Sequence, residues 1–275
     1  MKGYNMKGYK LTTAFNAHDE NALYWTDGKK VYFRGYEIKG ADIESFEQFP
    51  GAWAKDKNHC YLTSTRLQNS DPTTFEVLNF SYAKDKHNAW TMGGRIPDAD
   101  VETFEVCDSG RKSLGFSIKK LQNGQKIKYE TIVPYGFAKD KNNVYYYDYQ
   151  GKTNIVKKAI SSSFQSLGDG YFGYDEKSVF CGRSAIPKAK PVSWKKLREE
   201  YYYSKYENRI YYFNRLIKDA DAETFEVIVV PVVVGTPRQY AKDKNVGYWN
   251  DNIISFEELE KNVREGIEKY EQRQN

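Results

Sequence analysis

The sequence is poor in the residues that most often carry chemistry. Its 275 residues include three histidines and three cysteines, and the cysteines (Cys60, Cys107 and Cys181) show no C-x-x-C spacing. An odd number of widely spaced cysteines predicts neither a disulfide framework nor a zinc site, and indicates free thiols in a reducing compartment. No G-x-S-x-G motif occurs, and Val234–Pro237 lacks the pattern of a phosphate-binding loop. We therefore expect a protein that is not an enzyme and that uses no cofactor and no metal.

Long hydrophobic runs are also missing. The longest, Val227–Val234, is interrupted by Pro231 and is far too short to cross a bilayer as a helix. The segment Met1–Leu11 is polar and lacks the apolar core of a signal peptide. We expect a cytoplasmic protein without a membrane span, or an exported one if a leader precedes this sequence.

The sequence has only a small excess of charge of one sign. The net charge of +5 results from 42 basic and 37 acidic residues, which alternate along most of the chain. The one modest basic cluster, Lys188–Arg198, is followed directly by Glu199 and Glu200. A nucleic-acid-binding protein usually concentrates its basic residues on one face, so we expect no nucleic-acid partner.

A short phrase, Ala-Lys-Asp-Lys, recurs at residues 54–57, 83–86, 138–141 and 241–244. Two further aspartates hold the same place relative to the aromatic residues around them, and Tyr206 holds it in a seventh, degenerate copy. Recurrence of this kind predicts a repeat architecture. We call the aspartates of the phrase anchor aspartates: Asp27, Asp56, Asp85, Asp140, Asp175 and Asp243.

Aromatic residues recur at three places around each anchor. Three residues before it lie Tyr24, Trp53, Tyr82, Phe137, Phe172, Tyr203 and Tyr240. Five residues after it lie Tyr32, Tyr61, Trp90, Tyr145, Phe180, Tyr211 and Tyr248. A third ring follows nineteen residues after the anchor, or later by an insertion of five in one copy: Phe46, Phe75, Phe104, Phe164, Trp194 and Phe225. Because one short copy cannot bury its apolar face alone, stacked neighbours must complete the core.

The recurring acidic residues have a structural interpretation. An aspartate at the start of a turn accepts backbone N–H groups two residues on, so each anchor predicts a hairpin turn between two short strands. The later Ala-Asp-x-Glu-Thr-Phe motif predicts a helical turn capped by its aspartate, and the phenylalanine then faces the core. The capping aspartates are Asp42, Asp71, Asp100 and Asp221.

Three segments depart from the repeat. Residues 113–134 predict an inserted hairpin around Asn123-Gly124. Residues 227–234 predict an extra β-branched strand, which Pro231 restricts to an edge or a bulge. Residues 255–275 predict an amphipathic helix, opened by a Ser255–Glu258 capping box, that caps the array or else docks a partner.

The phrase Asp-Lys-Asn-x-x-Tyr-Tyr, clearest in Asp140–Tyr146, together with Ala-Asp-x-Glu-Thr-Phe-Glu, resembles the DKNYY repeat family of bacterial proteins. The resemblance extends from Tyr24 to Trp249 and fails in the two inserts and the terminal helix. It implies a bacterial repeat protein and supplies no catalytic residues.

Other sites receive less support from the residues. His18 stands outside the phrase, whereas His59 and His87 fall in turn positions that hold lysine or asparagine in other copies, which favours turn surface over metal ligation. Lysines flank the aspartate of the Ala-Lys-Asp-Lys phrase, and no D-x-D-x-D series accompanies it, which disfavours calcium. A pair of glycosidase carboxylates stays open, because spatial separation decides that case.

The sequence therefore predicts a mainly β protein with residues 1–254 forming an array of about seven short β-hairpin and helical-turn repeats. The array is either a curved solenoid or propeller-like, and residues 255–275 form its capping helix. We expect a non-enzymatic surface that binds another protein. A narrower alternative is an immunity or antitoxin-type protein that neutralises a toxin, and a further one is an exported protein that binds glycans or the envelope.

Overall fold

The computed structural model describes residues 6–14, 23–120, 125–148, 153–231 and 237–274. These residues form thirty short β-strands in antiparallel sheets, one 3-10 helix (Ser161–Ser163) and one C-terminal α-helix. The chain divides into two compact units, and each is described by itself. Unit 1 comprises residues 1–111 and 134–162, and unit 2 comprises residues 112–133 and 163–275.

Unit 1 holds four small sheets, each built on one hairpin of the repeat. The first is β2 (Tyr24–Thr26), β3 (Val31–Phe33) and β4 (Tyr36–Glu37). The second joins β1 (Tyr9–Lys10), β5 (Glu47–Phe49), β6 (Trp53–Lys55), β7 (Cys60–Leu62) and β8 (Thr65–Arg66). The third is β9 (Glu76–Val77), β10 (Tyr82–Lys84), β11 (Ala89–Thr91) and β12 (Gly94–Ile96). The fourth is β13 (Glu105–Val106), β16 (Gly136–Lys139), β17 (Val144–Tyr147) and β18 (Thr153–Ile155).

Unit 2 holds a separate strand pair, β14 (Lys112–Lys120) with β15 (Lys126–Val133), and three four-stranded sheets. The first of these is β19 (Gln165–Ser166), β20 (Phe172–Tyr174), β21 (Val179–Cys181) and β22 (Ser184–Ala185). The next is β23 (Trp194–Lys196), β24 (Tyr203–Tyr206), β25 (Arg209–Tyr212) and β26 (Arg215–Ile217). The last is β27 (Glu226–Ile228), β28 (Tyr240–Lys242), β29 (Gly247–Trp249) and β30 (Asn252–Ile254), followed by α1 (Phe256–Gln274).

Each full sheet takes strands from two consecutive sequence copies. The strand that follows the third aromatic ring of one copy pairs with the hairpin of the next, as β5 does with β6 (Glu47↔Lys55, Phe49↔Trp53). The sequence predicts two or three strands and a helical turn in each copy, and the structure adds to each full sheet a strand from the preceding copy. The predicted helical turn is a single hydrogen-bonded turn after Asp42, Asp71, Asp100 and Asp221, and a 3-10 helix, Ser161–Ser163, in the copy of Asp140.

The degenerate copy at Tyr206 shows why its aspartate is missing. In the ordinary copies the hairpin strands are joined by four residues, since Lys55 pairs with Cys60. Here Tyr206 pairs directly with Arg209, so that the turn has two residues and the strands are longer. Glu207 adopts a positive φ of 51° in this turn. A turn of this length has no place for an aspartate that caps a four-residue loop.

The predicted inserts differ in outcome. The strand pair β14–β15 lies at the predicted hairpin, whose Asn123-Gly124 turn falls outside the described residues. The sequence predicts the extra strand over residues 227–234, and in the described part of this run Val227 and Ile228 belong to β27, the first strand of the last sheet. Residues 232–234 of the run lie outside the described part of the chain. No helix among the described residues is both long and apolar enough to cross a membrane.

Stacked rings form the core between neighbouring copies. In four copies the third aromatic lies between the first ring of its own copy and the second ring of the next copy. Phe104, for example, lies 6.0 Å from the Tyr82 ring and 5.7 Å from the Tyr145 ring, centroid to centroid. The same arrangement, at 5.2–6.4 Å, surrounds Phe46, Phe75 and Phe225. Such pairs add about 0.5–1.5 kcal/mol each to the burial of the rings.

Candidate functional site

The anchor aspartate closes its own turn with one carboxylate oxygen. In the copy of Asp56, Oδ1 accepts hydrogen bonds from the backbone amides of Asn58 and His59, both 2.7 Å long. The equivalent two bonds, of 2.7–3.0 Å, form at Asp27, Asp85, Asp140, Asp175 and Asp243. The carboxylate thus accepts hydrogen bonds from turn amides that would otherwise lack a backbone acceptor.

The other oxygen connects the hairpin to the preceding turn. Oδ2 of Asp56 accepts the backbone amide of Asp42 at 2.9 Å and the hydroxyl of Tyr61 at 2.7 Å. Equivalent bonds from the preceding turn reach Asp85, Asp140 and Asp243 at 2.6–2.9 Å. Sequence reasoning missed this connection, although the recurrence of tyrosine five residues after the aspartate is a signal for it.

Five anchors are buried, and at four of them, Asp56, Asp85, Asp140 and Asp243, both carboxylate oxygens accept hydrogen bonds. Asp56, Asp85, Asp140, Asp175 and Asp243 are only 1–4% exposed, whereas Asp27 is exposed. A buried carboxylate is costly unless its lone pairs are satisfied. At Asp243 burial raises the pKa, but bonds from the Tyr248 hydroxyl and three backbone amides outweigh it and lower the pKa below its usual value. These carboxylates are committed to the fold.

The lysine after the anchor binds the capping aspartate of the preceding turn. Lys57 Nζ lies 2.7 Å from Asp42 Oδ2, and Lys141 Nζ lies 2.6 Å from Asp100 Oδ2. These lysines, with hydrogen bonds from the turn residues, lower the pKa of Asp42 and of Asp100 to about 2. The pairs Lys86–Asp71 and Lys244–Asp221 repeat the contact. The second lysine of the phrase therefore has a defined acidic partner in all four copies.

The first aromatic of a copy also bonds to the next copy. Tyr24 donates its hydroxyl proton to the carbonyl oxygens of Ala52 and Thr63, at 2.6 and 2.9 Å. Tyr82 bonds the Gly136 carbonyl at 2.9 Å, and Tyr203 bonds those of Gln239 and Asn250 at 2.7 Å. Tyrosine at this place therefore supplies both a core ring and a donor for the neighbouring backbone.

The three thiols are buried or half-buried, and the two described imidazoles occupy turn positions of the repeat. Burial raises the pKa of the Cys60 and Cys107 thiols to about 12, and also raises that of Cys181, so none is poised as a thiolate at neutral pH. His59 and His87 lie in hairpin turns, and His18 falls outside the described residues. Within the described ranges, no three His, Cys, Asp or Glu side chains are grouped as a metal site.

The third rings are not equally enclosed. Phe46, Phe75, Phe104 and Phe164 are 1–5% exposed. Trp194 and Phe225, in unit 2, are only partly buried and lie at the edge of that unit's main apolar cluster. The repeat positions therefore form a structural core, and the surface that could meet a ligand lies elsewhere.

A groove of about 550 Å³ lies between α1 and the last sheet, and we call it the C-terminal groove. Its apolar lining consists of Ile228, Phe256, Leu259, Val263 and Ile267. Charged residues complete the lining: Lys242, Glu260, Arg264 and Glu268. Phe256 is 40% exposed and Ile267 is 37% exposed, so the groove presents apolar surface to solvent.

The helix packs closely on the residues beneath it, and this packing gives the groove its shape. Val230, Tyr240, Ile254 and Leu259 form a small buried cluster beneath α1. Gly266 lets the helix approach, because a Cβ there would lie 2.6 Å from Cγ1 of Val230. The sequence predicts a capping or docking helix. In the structure one side of α1 covers the last sheet, while Phe256 and Ile267 stay partly uncovered.

Comparison with known proteins identifies the family of the chain. Comparisons with curated proteins and with solved structures found no match. A model of the DKNYY family matches three overlapping stretches, residues 2–64, 53–206 and 203–273. The matches span the hairpins, the shared sheets and most of the terminal helix. The chain therefore belongs to the DKNYY family.

Proposed function

We propose that the chain is a non-enzymatic repeat protein that offers a protein-binding surface in the cytoplasm of a bacterial cell. The observation that carries this proposal is the C-terminal groove, an apolar floor flanked by residues of both charges. Protein interfaces share this anatomy, with apolar anchors at the centre and a polar rim. The occupant that fits is an amphipathic segment of a partner protein, whose apolar side chains would cover Phe256 and Ile267.

The state of the carboxylates supports a role without catalysis. The buried anchors have both oxygens engaged in hydrogen bonds in the copies of Asp56, Asp85, Asp140 and Asp243. A general acid or base needs a proton position that faces substrate. A carboxylate whose lone pairs bind the backbone has none to offer.

Burial of the repeated tyrosines favours a protein partner over a glycan. A glycan platform needs exposed rings, whereas Tyr24, Tyr61, Tyr82, Tyr145, Tyr203 and Tyr248 are at most 1% exposed. The immunity or antitoxin form of the proposal is narrower. In that form the partner is a toxin, and covering the groove would coincide with loss of the toxin's activity.

Photo-crosslinking in the source cell tests the proposal. A photoreactive amino acid replaces Ile267 in the groove or, as a control, the exposed Lys218 in a turn. We expect a discrete protein adduct from position 267, absent from position 218 and abolished by Phe256→Asp. Adducts that are equal at both positions, or missing at both, would overturn the assignment of the groove. Growth of cells that express the captured partner, with and without this protein, tests the toxin form.

A further inference from the structure

The net charge of the chain is concentrated in one strand pair. Residues 112–133 contain five lysines (Lys112, Lys119, Lys120, Lys126 and Lys128), one glutamate (Glu130) and no arginine. This segment supplies +4 of the formal +5 of the whole protein. The remainder is nearly neutral, because its lysines and acids are matched. Basic and acidic residues alternate along most of the chain, and this alternation conceals the excess of lysine in the segment.

The strand pair differs from the repeats in how it places lysines. In the repeats the lysine after each anchor pairs with an aspartate, as Lys57 does with Asp42 at 2.7 Å. In the strand pair, Lys120 stands directly opposite Lys126 in the register of β14 and β15. Like charges opposite each other disfavour strand pairing. A sequence that keeps this local conflict suggests selection for something other than stability.

The strand pair is longer than any other among the described strands. β14 has nine residues and β15 has eight, against two to four in every other described strand. In the described part of the chain, β14 and β15 pair only with each other. Within those residues, the outer edge of each has no strand paired to it. Such edges accept an extended peptide by main-chain hydrogen bonding.

One end of the strand pair is fastened within unit 2. The Lys112 ammonium lies 3.4 Å from the centroid of the Tyr171 ring and 4.0 Å from that of Tyr202, and it donates to the Tyr202 hydroxyl. Burial lowers the pKa of Lys112 to about 7. The other four lysines belong to the opposite end, the last residues of β14 and the first of β15.

We propose that the β14–β15 strand pair binds an acidic, extended polypeptide segment, which adds as a further strand at an open edge. This inference rests on the proposed protein-binding function and names the chemistry of one partner segment. Edge pairing requires a peptide backbone, which nucleic acid lacks. Bidentate recognition of bases and phosphates favours the planar guanidinium of arginine, and this segment has no arginine. Lysines at open edges also discourage self-aggregation, and the test separates the two roles.

The test measures binding of the full chain to a labelled synthetic peptide of alternating glutamate and valine, by fluorescence anisotropy. We expect binding that weakens as salt rises, and that falls about tenfold or more in Lys119→Glu/Lys128→Glu. The matched control, Lys157→Glu/Lys218→Glu, makes the same charge change at exposed turn residues and should alter affinity less than about twofold. A peptide with alternate N-methylated amides keeps its charge but cannot pair as a strand, and should bind about tenfold more weakly.

Several outcomes would overturn the inference. If the N-methylated peptide binds as tightly as the unmodified peptide, the segment does not bind by strand addition. If a DNA duplex binds more tightly than the peptide, the partner of the strand pair is a nucleic acid. Equal losses in both double variants would assign general electrostatics. If the peptide fails while position 267 still yields a protein adduct, only the role of the strand pair is wrong. Failure of both would also remove the proposed function.

Discussion

At the residue scale, the hydrogen bonds of the anchor aspartate explain why acidic side chains recur at fixed places in the repeat. One oxygen closes its own turn and the other binds the amide of the preceding turn, as Asp56 does with Asn58 and Asp42. The tyrosine five residues later adds its hydroxyl where it is present, and Trp90 fills the place in the copy of Asp85 without one. A buried charge is stable in this setting because each bond replaces one lost to water.

Removing a buried anchor should be far more damaging than removing the exposed one. Asp56→Ala leaves buried amides and the Tyr61 hydroxyl without their acceptor, and we expect a loss of about 2–4 kcal/mol in the free energy of unfolding. Asp27→Ala removes the same turn bonds at an exposed position, and its loss should be much smaller. Urea denaturation of both variants decides, and equal losses would contradict the connecting role of Oδ2.

At the scale of elements, the rings between copies make each sheet depend on the next. Phe104→Ala removes a ring that is 2% exposed and that contacts Tyr82 and Tyr145. We expect a loss of about 3–5 kcal/mol. Tyr36→Ala, at a ring that is 71% exposed, is the control and should be nearly neutral. If Phe104→Ala has nearly the same melting temperature as the wild type, the ring is not part of the core.

The lysine pairs between turns predict a loss of stability in acid. The folded pKa values of Asp42 and Asp100, about 2, lie below the ordinary 3.8. Their contribution is therefore complete above about pH 4 and disappears as the pH falls towards 2. In Lys57→Gln/Lys141→Gln the denaturation midpoint should fall less steeply over this window than in the wild type. Lys39→Gln/Lys218→Gln is the control, and identical slopes in all three proteins would refute the coupling.

The contact between α1 and the last sheet predicts a sign opposite to helix propensity. Glycine within an exposed helix is usually improved by alanine, by about 0.5–1 kcal/mol. At Gly266 the added Cβ would meet Val230, which is 2% exposed and stiff at χ1. We expect Gly266→Ala to destabilise the wild-type protein. In a Val230→Ala background, where the space beside Gly266 is larger, the same Gly266→Ala change should cost less. Stabilisation by Gly266→Ala would show that the helix does not approach so closely.

At the scale of the whole molecule, the sequence predicts the repeat, the turn aspartates and the ring positions. These follow from local rules, because aspartate favours the start of a turn and because an aromatic residue recurs at a fixed sequence separation from each anchor, as Phe104 does from Asp85. It does not predict the four-stranded sheets, because the pairing of Glu47–Phe49 with Trp53–Lys55 joins different copies. Nor does it predict the bonds from Tyr24 to the Ala52 and Thr63 carbonyls, which depend on how copies stack.

The candidate surfaces were harder to predict than the core. The amphipathic pattern of α1 indicates a covered face, but only the packing of Gly266 on Val230 leaves Phe256 and Ile267 at an open groove. The lysines of β14 and β15 are visible in the sequence. Their excess becomes evident only when charges are counted by strand pair, after the pairing of the repeat lysines with aspartates is known.

The most direct test of the account is hydrogen exchange at the backbone amide of Asp71, which donates to Asp85 Oδ2 at 2.6 Å. If recurring carboxylates connect one turn to the next hairpin, this amide should exchange slowly in the wild type although it lies in a turn. In Asp85→Asn it should exchange much faster, while the amides of β2 and β3 stay protected. Rapid exchange of the Asp71 amide in the wild type would contradict the central claim.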